Sequence, residues 1–159
     1  MMSLITQYWL ILEDGRVITR ENRQEEFDAN GQIPIKVVGY EWQTSDVEKH
    51  KVTKLFHNPK WGIPGEPLID RTGFIMCEPP EIVGERFVVV YNADGSERFR
   101  LEPHIDPQKY PAYFHDGRLI GYQFFYDKPH AHFANTEQER VLEFDLNTGA
   151  FTGKHWEVR

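Results

Sequence analysis

Five short glycine-bearing reversals constrain this chain more than any other feature: Asp14-Gly15, Asn30-Gly31, Asp94-Gly95, Asp116-Gly117 and Asn147-Thr148-Gly149. Each supplies the positive φ that a tight hairpin needs. Four of them sit between apolar runs. Asp14-Gly15 joins Tyr8–Leu12 to Arg16–Arg20, and Asn92 to Gly95 joins Phe87–Tyr91 to Glu97–Leu101. Asp116-Gly117 joins Tyr113–His115 to Arg118–Tyr126, and Asn147 to Gly149 joins Glu139–Leu146 to Phe151–Val158. Hairpins following one another in chain order imply a mainly β, antiparallel meander that closes as a barrel or folds as a sandwich.

Side-chain chemistry agrees. Valine, isoleucine, threonine and the aromatics outnumber alanine and leucine by 52 to 15. Branched and ring side chains lose rotamers in a helix and pack well on a pleated sheet. Phe87–Tyr91 has no polar face, so it belongs at the centre of a sheet. Between Ile35 and Trp42 the apolar parity switches beside Gly39, which implies a β-bulge. One short helix is expected near 45–56, with a strand over Lys51–His57 as the competing reading. Ser45 and Glu48 have capping-box spacing, Val52, Leu55 and Phe56 follow at helical intervals, and Asn58-Pro59 would end it.

The chain has 159 residues, a length that suits a single domain over 1–159. A net charge of −7 argues against nucleic acid or an anionic membrane as partner. The lone Cys77 excludes an internal disulfide and lies in an apolar run that suits an inert buried thiol. The first residues lack the basic and long apolar stretches of a signal peptide, so a cytoplasmic location is expected.

Three features could carry function. The first is His130-Ala131-His132 followed by Glu137, with His155 on a neighbouring strand. On a strand the two imidazoles would share a face and could share a metal. This spacing is similar to the first metal motif of cupins. The resemblance covers residues 130–137, and phenylalanine stands at 124 and 144 where that motif has glycine. It implies a metal-dependent enzyme using His130, His132 and Glu137. Lys128-Pro129 just ahead favours instead a solvated loop.

The second is the aromatic run of the Arg118–Tyr126 strand. Alternation places Ile120, Tyr122, Phe124 and Tyr126 on one face. That face either packs as core or lines a ligand site, with Tyr122 and Tyr126 as its polar members. The third is Trp61, on a loop rich in proline and glycine. It is either an exposed binding anchor or a plug pinning the loop.

No Gly-x-Ser-x-Gly elbow, phosphate loop or dinucleotide fingerprint is present. The balance favours a non-enzymatic, cofactor-free protein-binding module, such as an immunity-type inhibitor that neutralises a basic toxin domain. Glu139, Glu143 and Asp145, together on one strand face, would steer it to a basic protein, and Trp61 would anchor it. The alternative is a β-barrel holding a small aromatic or apolar ligand, with or without the histidine-bound metal.

Overall fold

The structure, a computed structural model, describes residues 3–19, 22, 36–46, 48–57, 59, 61–78, 85–111 and 116–158, with only the backbone of 155–158. Twelve strands are present: β1 Ile5–Leu12, β2 Val17–Ile18, β3 Val37–Thr44, β4 Lys51–Leu55, β5 Gly65–Pro67, β6 Gly73–Glu78, β7 Phe87–Asn92, β8 Glu97–Leu101, β9 Arg118–Phe125, β10 Lys128–Ala134, β11 Glu139–Phe144 and β12 Phe151–Val158. They form three antiparallel sheets, in the orders β2-β1-β3-β4, β5-β6-β7-β8 and β12-β11-β10-β9. No sheet closes into a barrel, because the end strands of each order do not pair with one another.

The turn residues behave as their chemistry requires. Gly15, Gly95 and Gly149 have φ of 88°, 93° and 78°, and each closes an expected hairpin. The Asn30-Gly31 reversal and the Tyr113–His115 arm of another fall outside the described residues. β7 lies inside its sheet, with Val88, Val89 and Val90 fully buried. The bulge beside Gly39 is present: Ile11 faces Gly39 but Leu12 faces Val37, leaving Val38 as the extra residue. A side chain at Gly39 would place its Cβ 2.3 Å from the Lys54 carbonyl oxygen, so only glycine permits β4 to approach.

The helix expected near 45–56 is replaced by a turn and a strand. Lys51–Leu55 is β4, paired with β3 from Gln43↔Lys51 to Gly39↔Leu55. The capping residues are engaged differently. Ser45 Oγ accepts from the Leu4 amide, and Asp46 Oδ1 accepts from Thr44 Oγ1 and the His50 amide. β-branched Val52 and Thr53 then suit a strand, and cross-strand pairing overrides the helical spacing. Among the described residues there is no helix.

The chain divides into two compact units, Met1–Pro79 with Tyr91–Ser96, and Pro80–Val90 with Glu97–Arg159. The core of the first is aromatic. Trp42 stacks on Phe74, whose ring also meets Tyr40 at 5.1 Å and Tyr8 at 5.8 Å. Trp42 Nε1 donates to the Ala93 carbonyl at 2.8 Å, so its one polar atom is satisfied. Cys77 is buried here, as its apolar run implies. The second unit centres on Leu119, Phe133, Leu142 and Phe144, all nearly inaccessible. Phe99 meets Phe144 edge-on, and Phe151 lies between Phe133 and Tyr110.

Candidate functional site

In the first unit, the register of one sheet creates an exposed apolar row. Val17 faces Ile11, Ile11 faces Gly39, and Gly39 faces Leu55. Directly paired residues point to the same side of a sheet. Val17 is 43% exposed and Leu55 63%. Gly39 contributes no side chain, so the row dips between Ile11 and Leu55. A groove of about 720 Å³ opens here, lined by Ile11, Leu12, Val38, Leu55, Phe56 and Pro59 among others.

β4 carries its side chains in an unusual sense. Leu55 points outward, whereas Lys54, paired with buried Tyr40, points inward with Nζ 4.3 Å from the Tyr91 ring centre. The strand sets a half-buried cation over an aromatic face and leaves its leucine in water.

Trp61 is 50% exposed. Its loop is held on both sides of it. Lys36 Nζ donates to the Pro59 carbonyl, the Ile63 amide donates to the Val37 carbonyl, and Tyr40 Oη donates to the Ile63 carbonyl. Ile63, not Trp61, plugs the loop into the core at 2% exposure. Burial raises the Tyr40 hydroxyl above its ordinary range, so it stays a neutral donor.

The second unit holds the remaining sequence-derived residues, and it redistributes them. Lys128–Ala134 is a strand, not a loop, despite Pro129. His130 and His132 therefore share a face as strand parity requires. Each is engaged through one ring nitrogen: His130 Nδ1 contacts the Lys128 carbonyl and His132 Nδ1 contacts Glu139 Oε1, both at 2.8 Å, while His132 Nε2 is buried without a hydrogen-bond partner among the described residues. Glu137 is exposed in the β10–β11 turn, its amide bonded to Asn135 Oδ1, so Glu139 rather than Glu137 is the carboxylate beside a histidine. His155 is opposite Leu142 in the backbone register, and its side chain is not described. Among the described residues no three histidine, cysteine or acidic side chains group as a metal site.

Glu139, Glu143 and Asp145 do not form an open acidic face. Glu143 is 7% exposed. It accepts from Thr152 Oγ1 at 2.6 Å and lies 3.7 Å from Lys128 Nζ. The Thr152 hydroxyl holds this carboxyl below its usual range, helped by Lys128 and Lys154. Asp145 caps the following turn through the Asn147 and Thr148 amides.

The aromatic strand face is also altered. His132 faces Gly121 but Phe133 faces Leu119, so Ile120 is an extra residue in β9. That bulge turns Ile120 outward at 43% exposure and brings buried Leu119 toward the core. Tyr122 and Phe124 meet edge-on at 6.0 Å. Tyr126 leaves the strand for the β9–β10 turn and is 99% exposed.

The groove and the row are not legible in the sequence, where a helix near 45–56 competes with a strand over Lys51–His57 and only the strand pairing aims Leu55 to the side of Ile11 and Val17. The strand signal that the sequence does carry there is the β-branched pair Val52 and Thr53.

No protein-family model and no curated protein matches the chain. Among solved structures, a chain in the structure of Tne2 in complex with Tni2 is similar to it. The similarity covers 98% of this chain and 100% of that one, with a TM-score of 0.69 and 16% identity. The likeness is one of fold.

Proposed function

We propose that this protein is a non-enzymatic, cytoplasmic protein-binding module of the immunity type, an inhibitor that covers the working cleft of a toxin domain. The carrying observation is the outward Leu55, in one row with Val17 and beside a groove of about 720 Å³. Exposed apolar side chains grouped on one sheet face mark interaction sites more often than those scattered singly. Trp61, half exposed on a loop tied at both ends, has the character of a preformed anchor. The structural neighbour is one member of a two-protein complex, which supports a protein as partner for a fold of this kind. The net charge of −7 supports a basic one.

The test is native mass spectrometry of the protein isolated from its own host, followed by binding kinetics with any co-isolated polypeptide. Leu55→Asp and Trp61→Ala should each speed dissociation at least tenfold, equivalent to about 1.4 kcal/mol. Added salt should slow association, since exposed charges are screened beyond about 8 Å at physiological ionic strength. A retained small molecule or metal with no polypeptide would sink the reading and favour a ligand-binding protein.

A further inference from the structure

The β9–β10 hairpin closes through two residues only, Tyr126 and Asp127, with Phe125 paired to Lys128. A two-residue loop of this kind requires the left-handed region at both positions. Tyr126 and Asp127 have φ of 49° and 70°. The cheap solution is Asn-Gly or Asp-Gly, and elsewhere the chain places glycine at positive φ, at Gly15, Gly95 and Gly149. Aspartate tolerates the region; a bulky residue there is strained by about 1–2 kcal/mol.

The fold gains nothing visible from this choice. Tyr126 is 99% exposed, so its ring packs on nothing. Neither the Tyr126 nor the Asp127 side chain has a hydrogen bond or ion pair among the described residues. Other strained positions have local reasons. Arg71 at φ 66° donates its amide to the Leu68 carbonyl and accepts at its own carbonyl from Ile5. Lys49 at φ 48° donates to the Asp46 carbonyl. Strain without a folding return points to a contact outside the chain.

We propose that Tyr126-Asp127 is an insertion tip that enters a basic cleft of the partner protein. The ring would lie against a guanidinium or ammonium group, and the carboxylate would pair with a second cation. The tip's charge fits: Lys128 is drawn to Glu143, which leaves the Asp127 carboxylate as the unanswered charge of the turn. A two-residue loop is already ordered, so little freedom is lost on binding. This inference rests on the protein-binding reading above.

The test places a photoreactive phenylalanine analogue at position 126, and separately at position 61, in the full chain expressed in its own host. Cross-linking at 126 should yield one discrete adduct, and the partner peptide carrying it should contain arginine or lysine. Asp127→Asn keeps the backbone preference and removes the charge; it should cut the adduct about tenfold. The double change Tyr126→Asn with Asp127→Gly should raise the thermal midpoint by about 2–4 °C by relieving strain. The same variant should bind the captured partner at least tenfold more weakly.

A partner captured at 61 but not at 126, or undiminished binding by the double variant, overturns the tip and leaves the protein-binding reading standing. A lower melting point for the double variant means that Tyr126 serves the fold, which also overturns it. An adduct on a peptide without basic residues overturns the basic cleft. Absence of any adduct at either position removes the protein-binding reading, and the tip with it.

Discussion

The indole of Trp42 lies flat on the ring of Phe74, with centres 4.7 Å apart and planes within 5°. Both side chains are fully buried, one from β3 and one from β6. Trp42→Ala should cost about 3–5 kcal/mol, the usual range for deleting a buried ring. Trp42→Phe should keep most of the packing but orphan the Ala93 carbonyl, for about 1–3 kcal/mol. Urea unfolding followed by circular dichroism separates the two, and a Trp42→Phe variant as stable as the native protein would show that the hydrogen bond contributes nothing.

Gly39 and Gly62 offer a matched pair of alanine substitutions. Gly39→Ala drives a methyl into the Lys54 carbonyl and should cost about 1–3 kcal/mol, with loss of protection at the β3–β4 amides. At Gly62 the nearest atom to an added Cβ is 3.6 Å away, so alanine there should change stability by less than about 0.5 kcal/mol. Hydrogen exchange and thermal melts on both variants check the contrast.

The turn before β4 should respond to pH from both sides. Asp46 is held down at about 2, first by its hydrogen bond to His50, and the same bond raises His50 above 6.5. The His50 contribution is complete below 6.5 and is lost as pH rises through its raised value. The Asp46 contribution is present above 3.8 and is lost as pH falls toward about 2. Both are in place between 3.8 and 6.5. In Asp46→Asn, the His50 ring should titrate lower by NMR; an unchanged titration would disprove the pairing.

Neutralising Glu139, Glu143 and Asp145 together should lower stability more than it slows association. Each already has a partner within the chain: His132, Thr152 and the turn amides. A triple Gln/Gln/Asn variant tests this through paired melts and binding kinetics. A slower, less salt-sensitive association with an unchanged melt would return these groups to a steering role.

Much of the sheet content was legible because its signals are local. Asp14-Gly15, Asp94-Gly95 and Asn147 to Gly149 each announce a hairpin through backbone chemistry that needs no tertiary context. The Gly39 bulge was legible for a similar reason, since a parity switch beside glycine has few other causes. β4 was not, because Ser45, Glu48 and Val52 also satisfy helical spacing and only pairing with β3 decides between them. The candidate site depended on that same decision, as Leu55 faces water only on a strand. The turn at Tyr126 leaves no mark in the sequence, because Phe-Tyr-Asp-Lys lacks the glycine or asparagine that announces positive φ. The Ile120 bulge likewise leaves no local trace, as it follows from β9 meeting β10.

Lys54 makes the edge of its sheet inhospitable to another copy of itself. β4 ends the order β2-β1-β3-β4, so its outer backbone groups could template an incoming strand. A strand arriving there would have to place a side chain beside the inward-turned Lys54 ammonium, which lies 4.3 Å from the Tyr91 ring centre. An inward-turned charge at a sheet edge discourages strand addition, so β4 can turn Leu55 to solvent without making its own edge a template.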